Sequence, residues 1–217
     1  MKALITGGSR GIGKSIALYF ATKGIEVIIP TREELNLNDP SLIKSYISSL
    51  SSVNILINNA GVNNIQNIEE VEYNNLLETF NINFFSPYLL CSALLPKFKK
   101  QNYGRIINIS SIWSTNVKDK RSTYAASKSA IHSLTKQLIP ETKNYNILSN
   151  TISPGYISTD LTYQNNTPED INTIEQTIPL NRMGTPEEIA KLAYYLSVEN
   201  SYINGQEIII DGGFLCQ

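Results

Sequence analysis

A chain of 217 residues carries enough material for one large domain with a substantial core. A formal net charge of −1 and a pI of about 5.9 provide no basic field for a nucleic-acid backbone, so that partner class is excluded. Apolar runs are too short for a membrane span, one histidine and two distant cysteines (Cys91, Cys216) form no metal-ligand cluster, and reduced thiols suit the cytoplasm.

The first expected strand, "KALIT" (2–6), begins at the second residue, which leaves no room for a secretory signal. The turn after it, "GGSRGIGKS", fits two signatures. From Gly8 it is G-x-x-x-x-G-K-S, a phosphate loop with Lys14 and Ser15 in place. From Gly7 it is a glycine-rich turn (Gly7, Gly11, Gly13) leading into a helix over 12–23, as in dinucleotide-binding folds. Either way, glycines admit phosphate oxygens to the backbone, and the helix N-terminus supplies amides and a positive dipole end. A phosphate-loop enzyme also needs an acidic residue after another strand to hold magnesium. "NILINNAG" ends in asparagine where that aspartate would sit, and Asp211 has only six residues beyond it.

The second strand, "EVIIP" (26–30), leads to Thr31 and Arg32. An NAD-specific site would place a carboxylate there, to accept hydrogen bonds from ribose hydroxyls. A hydroxyl and two guanidinium groups (Arg32, with Arg10 of the glycine turn) suit a 2′-phosphate instead, predicting NADP(H) over NAD(H). Glu33 and Glu34 are expected to be solvated. "ELNL" (34–37) reads as a short third strand, and the segment before it leaves almost no room for a helix.

Further strands are expected at "VNILIN" (53–58), "RIINIS" (105–110), "ILSNTIS" (147–153) and "EIIID" (207–211), with helices over 40–50, roughly 69–100, 122–143 and 186–197. Thr185 as N-cap, Pro186 and Glu188 mark the start of the last helix. The stretch 157–184 is longer than a usual connection and reads as a lid or substrate loop. This alternation predicts an α/β chain of one domain over 1–217, a single doubly wound parallel sheet with helices on both faces. Ligands of such sheets bind at the carboxyl ends of the strands.

Just beyond those strand ends lie "NNAG" (58–61), Ser110 and Ser111, and "SPGYIST" (153–159). "YAASK" sets Tyr124 and Lys128 at i and i+4, on one face of a helix. With "TGGSRGIG", "GRIINISS", "PLNRMGTPEEIA" and "INGQEIIIDGG" in order, the whole chain resembles the classical short-chain dehydrogenase/reductase family, which has a Rossmann-type fold.

The resemblance implies hydride transfer between a nicotinamide cofactor and a carbonyl or secondary alcohol, by a ketoreductase acting on a 3-ketoacyl thioester or sugar-type ketone. It assigns catalysis to Tyr124, Lys128, a serine and an asparagine. A phenol with a pKa near 10 becomes a usable acid–base group when an ammonium beside it favours the phenolate. Tyr124 would then exchange the proton, and Lys128 would also hold the nicotinamide ribose. The family's spacing, thirteen positions before the tyrosine, favours Ser111 over Ser110 for binding the substrate oxygen. Of Asn81 and Asn83, the register to Leu95-Pro96 favours Asn83, implied to hold a water that links Lys128 to solvent.

For the cofactor the resemblance implies Gly7, Ser9, Arg10, Gly11, Ile12 and Gly13 at the phosphates. Thr31, Arg32, Asn36, Asn58, Ala60 and Gly61 fall on the adenosine side. Pro154, Gly155, Ile157 and Thr159 would lie at the nicotinamide, beside Tyr124 and Lys128. Asn36 stands where the family commonly has an aspartate that contacts adenine. His132 reads as a surface or packing residue. A homotetramer or homodimer is implied, through the helices near 80–100 and 122–143 and through a C-terminal tail with Phe214-Leu215. Two readings from other classes stand beside this one: a nucleotide-sensing or scaffold protein on the same fold, and a phosphate-loop NTPase.

Overall fold

Isoleucine and leucine occupy both faces of the strands, as a sheet covered on both sides requires. The computed structural model describes residues 1–164 and 166–216. Six strands, β1 (Lys2–Ile5), β2 (Glu26–Ile28), β3 (Ile55–Asn58), β4 (Gly104–Ile109), β5 (Ile147–Pro154) and β6 (Glu207–Ile210), form one sheet. Its order is β2-β1-β3-β4-β5-β6, and every pairing is parallel.

On one face, α1 (Gly11–Thr22) and α8 (Pro186–Tyr194) bury Ile5, Ile55, Ile57, Ile107 and Ile152. On the other, α2 (Ile43–Ser49), α4 (Ser86–Gln101) and α5 (Ser122–Thr142) cover Leu4, Leu56, Ile106 and Ile147. The second face also holds a polar rung across three strands. Asn58 Nδ2 donates to Asn108 Oδ1 (2.8 Å), Asn108 Nδ2 donates to Thr135 Oγ1 (2.8 Å), and the Thr135 and Thr151 hydroxyls are paired at 2.8 Å. All four residues are buried, and in the strand register Asn58 stands opposite Asn108, which stands opposite Thr151.

Two expectations are corrected, and a third gains detail. "ELNL" is not a strand: the Leu35 amide closes a turn onto the Thr31 carbonyl (3.0 Å), and its side chain enters the second core. A parallel strand needs a crossover of roughly a dozen residues, and only 29–33 separate β2 from it. The helix expected over 69–100 is divided into α3 (Tyr73–Phe80), a π-helical turn (Asn81–Phe85) and α4. The loop 157–184 is partly helical, with α6 (Asp160–Gln164) and α7 (Pro168–Gln176), and it is closed at its ends by a bridge from Ile157 to Gly184. The start of α8 follows its signal, since Thr185 and Glu188 exchange the hydrogen bonds of a capping box.

Candidate active site

A parallel sheet opens at its carboxyl edge where neighbouring strands send their connections to opposite faces. Here that point lies between β1 and β3. The cleft above it, about 620 Å³ in volume, follows the strand order from the residues after β2 to those ending β5.

Its floor is the turn after β1, where Gly7, Ser9, Arg10, Gly11 and Ile12 face the cleft. Gly7 has φ +65°, and a Cβ there would stand 2.9 Å from Ala60 Cα. Gly13 does not line the cleft. It lets α1 pack under the turn, because a Cβ there would lie 2.3 Å from the Gly7 carbonyl oxygen. Two residues missed in the sequence fix this turn. Asn59 Nδ2 donates to the carbonyls of Thr6 (3.0 Å) and Gly7 (3.1 Å), while Thr6 Oγ1 accepts the amides of Asn59 (3.0 Å) and Ala60 (3.1 Å). Asn58, by contrast, points into the second core and away from the cleft.

On the β2 side the cleft meets Thr31, Arg32 and Asn36. The two glutamates beside them lie outside it and are exposed, as expected. Glu34 accepts the Thr31 amide at 2.8 Å and closes the turn. Backbone and Thr31 hydrogen bonds, with Arg32 nearby, hold the Glu33 carboxyl below its ordinary pKa. Arg10 and Arg32 are exposed and make no ion pair among the described residues. An open glycine floor at a helix N-terminus, with the exposed guanidinium groups of Arg10 in the turn and Arg32 after β2, fits a dinucleotide. Lys14 and Ser15 are not at this floor, and Asp211 caps the C-terminal turn through the amides of Gly213 and Leu215.

On the other side of the switch point, Ser111, Tyr124 and Lys128 converge with Pro154, Gly155, Ile157 and Thr159, and Ala60 and Gly61 lie between the two regions. Ser111 follows β4 and caps a short 3₁₀ turn by accepting the Trp113 amide at 3.2 Å. Ser111 also pulls the Tyr124 phenol's pKa down, against its burial. Ser110 turns the other way and donates to the Lys128 carbonyl at 3.0 Å. The Lys128 ammonium lies 5.7 Å from the Tyr124 ring centre and donates to the Ile109 carbonyl at 2.8 Å.

Electrostatics here differ from the sequence reading. Burial raises the Tyr124 phenol above its ordinary pKa, and hydrogen bonding from Ser111 and the charge of Arg121 only partly oppose this. Burial also pushes the Lys128 ammonium down to about 8. Desolvation thus sets the direction of both shifts in the protein alone. Asn83 is buried within the π-helical turn. Its amide donates to the Val62 carbonyl (2.9 Å) and Ser127 Oγ (3.0 Å), and its oxygen accepts the Val62 amide (2.9 Å). With these groups engaged, Asn83 anchors the Gly61-Val62 segment beside Lys128 and does not itself line the cleft.

Residues 39–215 match the family model described as enoyl-(acyl carrier protein) reductase. The chain is 33% identical to the 3-oxoacyl-(acyl-carrier-protein) reductase FabG of Vibrio cholerae, over 97% of this chain and 96% of the relative. This chain is a short-chain dehydrogenase/reductase. Solved structures with the same fold include a 4-hydroxyisoleucine dehydrogenase complexed with NADH (TM-score 0.92, 27% identity, covering 100% of this chain and 99% of that one). ElxO with NADP bound is similar (TM-score 0.90, 27% identity, the same coverage). Like them, this short-chain dehydrogenase/reductase is an oxidoreductase.

Beyond Tyr124, this dehydrogenase/reductase has a second group of cleft residues that the sequence did not single out: Trp113, Lys118, Arg121 and Tyr156. Trp113, Tyr156 and Phe214 meet edge to face with ring centres 5.6–6.0 Å apart, so Phe214 packs within its own protomer. His132 lies outside the cleft, with Nε2 3.5 Å from Glu207 Oε2. Cys91 is buried, its thiol pushed up to about 12 by desolvation, and Cys216 is exposed and free. No helix among the described residues is long and apolar enough to cross a membrane.

Proposed function

We propose that this chain is an NADP(H)-dependent ketoreductase that reduces a ketone to a secondary alcohol. The observation that carries the reading is one cleft with Ser111, Tyr124 and Lys128 on one side of the switch point and the exposed Arg10 and Arg32 on the other. The reductase activity in the name of the Vibrio cholerae relative supports it.

Nicotinamide, when bound, supplies the hydride. Ser111 donates a hydrogen bond to the carbonyl oxygen of the substrate and stabilises the charge that develops there. Tyr124 donates its proton to the same oxygen. A raised pKa keeps the phenol protonated in the free protein, which suits a proton donor in the reducing direction. Lys128 holds the ribose and feeds a proton towards Tyr124. Gly7, Ser9, Gly11 and Ile12 cradle the phosphates, Arg10, Thr31 and Arg32 take the 2′-phosphate, and Asn36 with Ala60 and Gly61 lines the adenosine side. Pro154, Gly155, Ile157 and Thr159 flank the nicotinamide, and 157–184 is the substrate loop of a single catalytic domain.

The exposed apolar residues Leu76, Leu77, Phe85, Tyr88 and Leu89 along α3, the π-helical turn and α4 support pairing of protomers into a dimer or tetramer. Free thiols and a reducing cofactor suit the cytoplasm. The test is oxidation of NADPH and of NADH with a panel of acetoacetyl thioesters, sugar-type ketones and small ketones. Turnover of some member, faster with NADPH, is expected. A panel without any turnover, or a preference for NADH, overturns the corresponding part of the proposal.

A further inference from the structure

Arg121 is the N-cap residue of α5, one helical turn before Tyr124. Its guanidinium is half-buried in the cleft wall, and its Nε is buried with no hydrogen-bond partner. Among the described residues its guanidinium makes one hydrogen bond, a long one, from Nη1 to Asn63 Oδ1 at 3.4 Å. Among the described residues no carboxylate pairs with it. Three residues earlier, Lys118 also lines the cleft. Its ammonium donates to the Tyr156 hydroxyl at 2.5 Å and lies 5.2 Å from the Trp113 ring centre. The loop carrying both cations is held in place by the Gln66 amide, which donates to the Lys120 carbonyl at 3.2 Å.

Carboxylates in the neighbourhood make no ion pair with these cations among the described residues, and only the exposed Asp170 feels the charge of Lys118. Asp160 lines the cleft but is exposed, and it makes no ion pair among the described residues. Asp170 is exposed, and its carboxylate accepts the amide and hydroxyl of Thr167. A partly desolvated guanidinium without an anion is costly, and the matching partner is a planar carboxylate that accepts two parallel N–H bonds. Arg121 bears on both phenols, Tyr124 and Tyr156, so that partner would sit beside the reacting carbonyl.

We infer that the substrate is an oxo acid, whose carboxylate is held by Arg121 and Lys118 while its ketone faces Ser111 and Tyr124. The product is the corresponding hydroxy acid: hydride adds to the carbonyl carbon, and the Tyr124 proton adds to its oxygen. This inference rests on the ketoreductase reading and narrows its substrate class from ketones in general to ketones carrying a carboxylate.

The experiment compares 2-oxobutanoate, acetoacetate and levulinate with their methyl esters, each with NADPH. At least one acid should exceed its own ester about tenfold or more in kcat/KM. Arg121→Gln should lower kcat/KM for that acid about tenfold more than for its ester, chiefly through KM, the range expected for a lost charged hydrogen bond. Lys118→Met should act in the same direction, more weakly, and covers the case in which the arginine variant does not fold. A second readout needs no turnover. Trp113 is the chain's only tryptophan and lies beside Lys118, so the acid should change its fluorescence saturably and the ester should not.

Equal kcat/KM for acids and esters overturns the inference. Equal loss for acid and ester in Arg121→Gln does so too, because Arg121 would then act only through the proton of Tyr124. If no ketone turns over while Trp113 still separates acid from ester, the carboxylate site stands and the ketoreductase reading fails.

Discussion

Replacing Lys128 with methionine should make the protein without cofactor more stable while ending its turnover. Lys128 is only 4% exposed, and its ammonium has one protein acceptor, the Ile109 carbonyl. Burial brings its pKa from 10.5 to about 8, and at about 1.4 kcal/mol per unit this is a cost of about 3 kcal/mol for holding the charge in the fold. Below the folded pKa both states carry the proton, so the folded state bears the whole cost. Between about 8 and 10.5 the unfolded chain holds more protons than the folded one, so stability rises with pH, and above 10.5 the cost is gone. Methionine keeps the length and removes the charge, but it leaves the Ile109 carbonyl without its donor, at about 1 kcal/mol. The net gain at neutral pH is about 2 kcal/mol, or about 4–8 °C in Tm for a chain of this size. Thermal unfolding of both proteins from neutral to strongly alkaline pH measures it, and the gain should shrink towards zero or below across the alkaline range. A variant no more stable at neutral pH, or a difference that does not vary with pH, refutes the argument from desolvation.

Tyr124→Phe should lower turnover at least about 100-fold while leaving the Kd for NADPH nearly unchanged, because only the proton donor is lost. Steady-state rates paired with a cofactor titration decide this, and retained turnover removes Tyr124 from the chemistry. Arg32→Ala should weaken NADPH selectively over NADH, by about 1.5–3 kcal/mol, and an unchanged affinity ratio would make Arg32 an ordinary surface charge. Asn83→Ala orphans the amide and carbonyl of Val62 and should cost about 2–3 kcal/mol in denaturant unfolding; an unaltered midpoint contradicts the anchoring role. Lys14→Ala should leave cofactor affinity within about twofold, since Lys14 is not at the cleft floor, whereas a phosphate-loop protein would lose nucleotide binding.

What the sequence made legible was local. The glycine turn, Tyr124 with Lys128 one helical turn on, and Thr185 with Glu188 each depend on spacing within a few residues, which the chain displays directly. What it hid was lateral. Asn59 clamps Gly7 across 52 positions and Asn83 grips Val62 across 21, and such pairings exist only after the strands are in order. The "ELNL" strand failed for a related reason. Its alternation was right for an edge strand, but the five residues before it could not make a crossover, so Leu35 went to the core in a turn. The sign of the Tyr124 shift was also hidden, because desolvation depends on what covers the ring, and residues distant in sequence do so.

The polar rung through Asn58, Asn108 and Thr151 acts as a ruler for the whole site. Slipping β4 by two residues against β3 would keep every side chain on its own face, and the isoleucines of "ILIN" and "GRIINI" would tolerate the exchange. The asparagines object, since each would then lie buried against a residue other than its partner. At about 3.3 Å per residue, such a slip would carry Ser111 about 7 Å along the strand, out of reach of the Tyr124 hydroxyl. Side chains that never touch the cleft thereby fix the alignment of the groups that do.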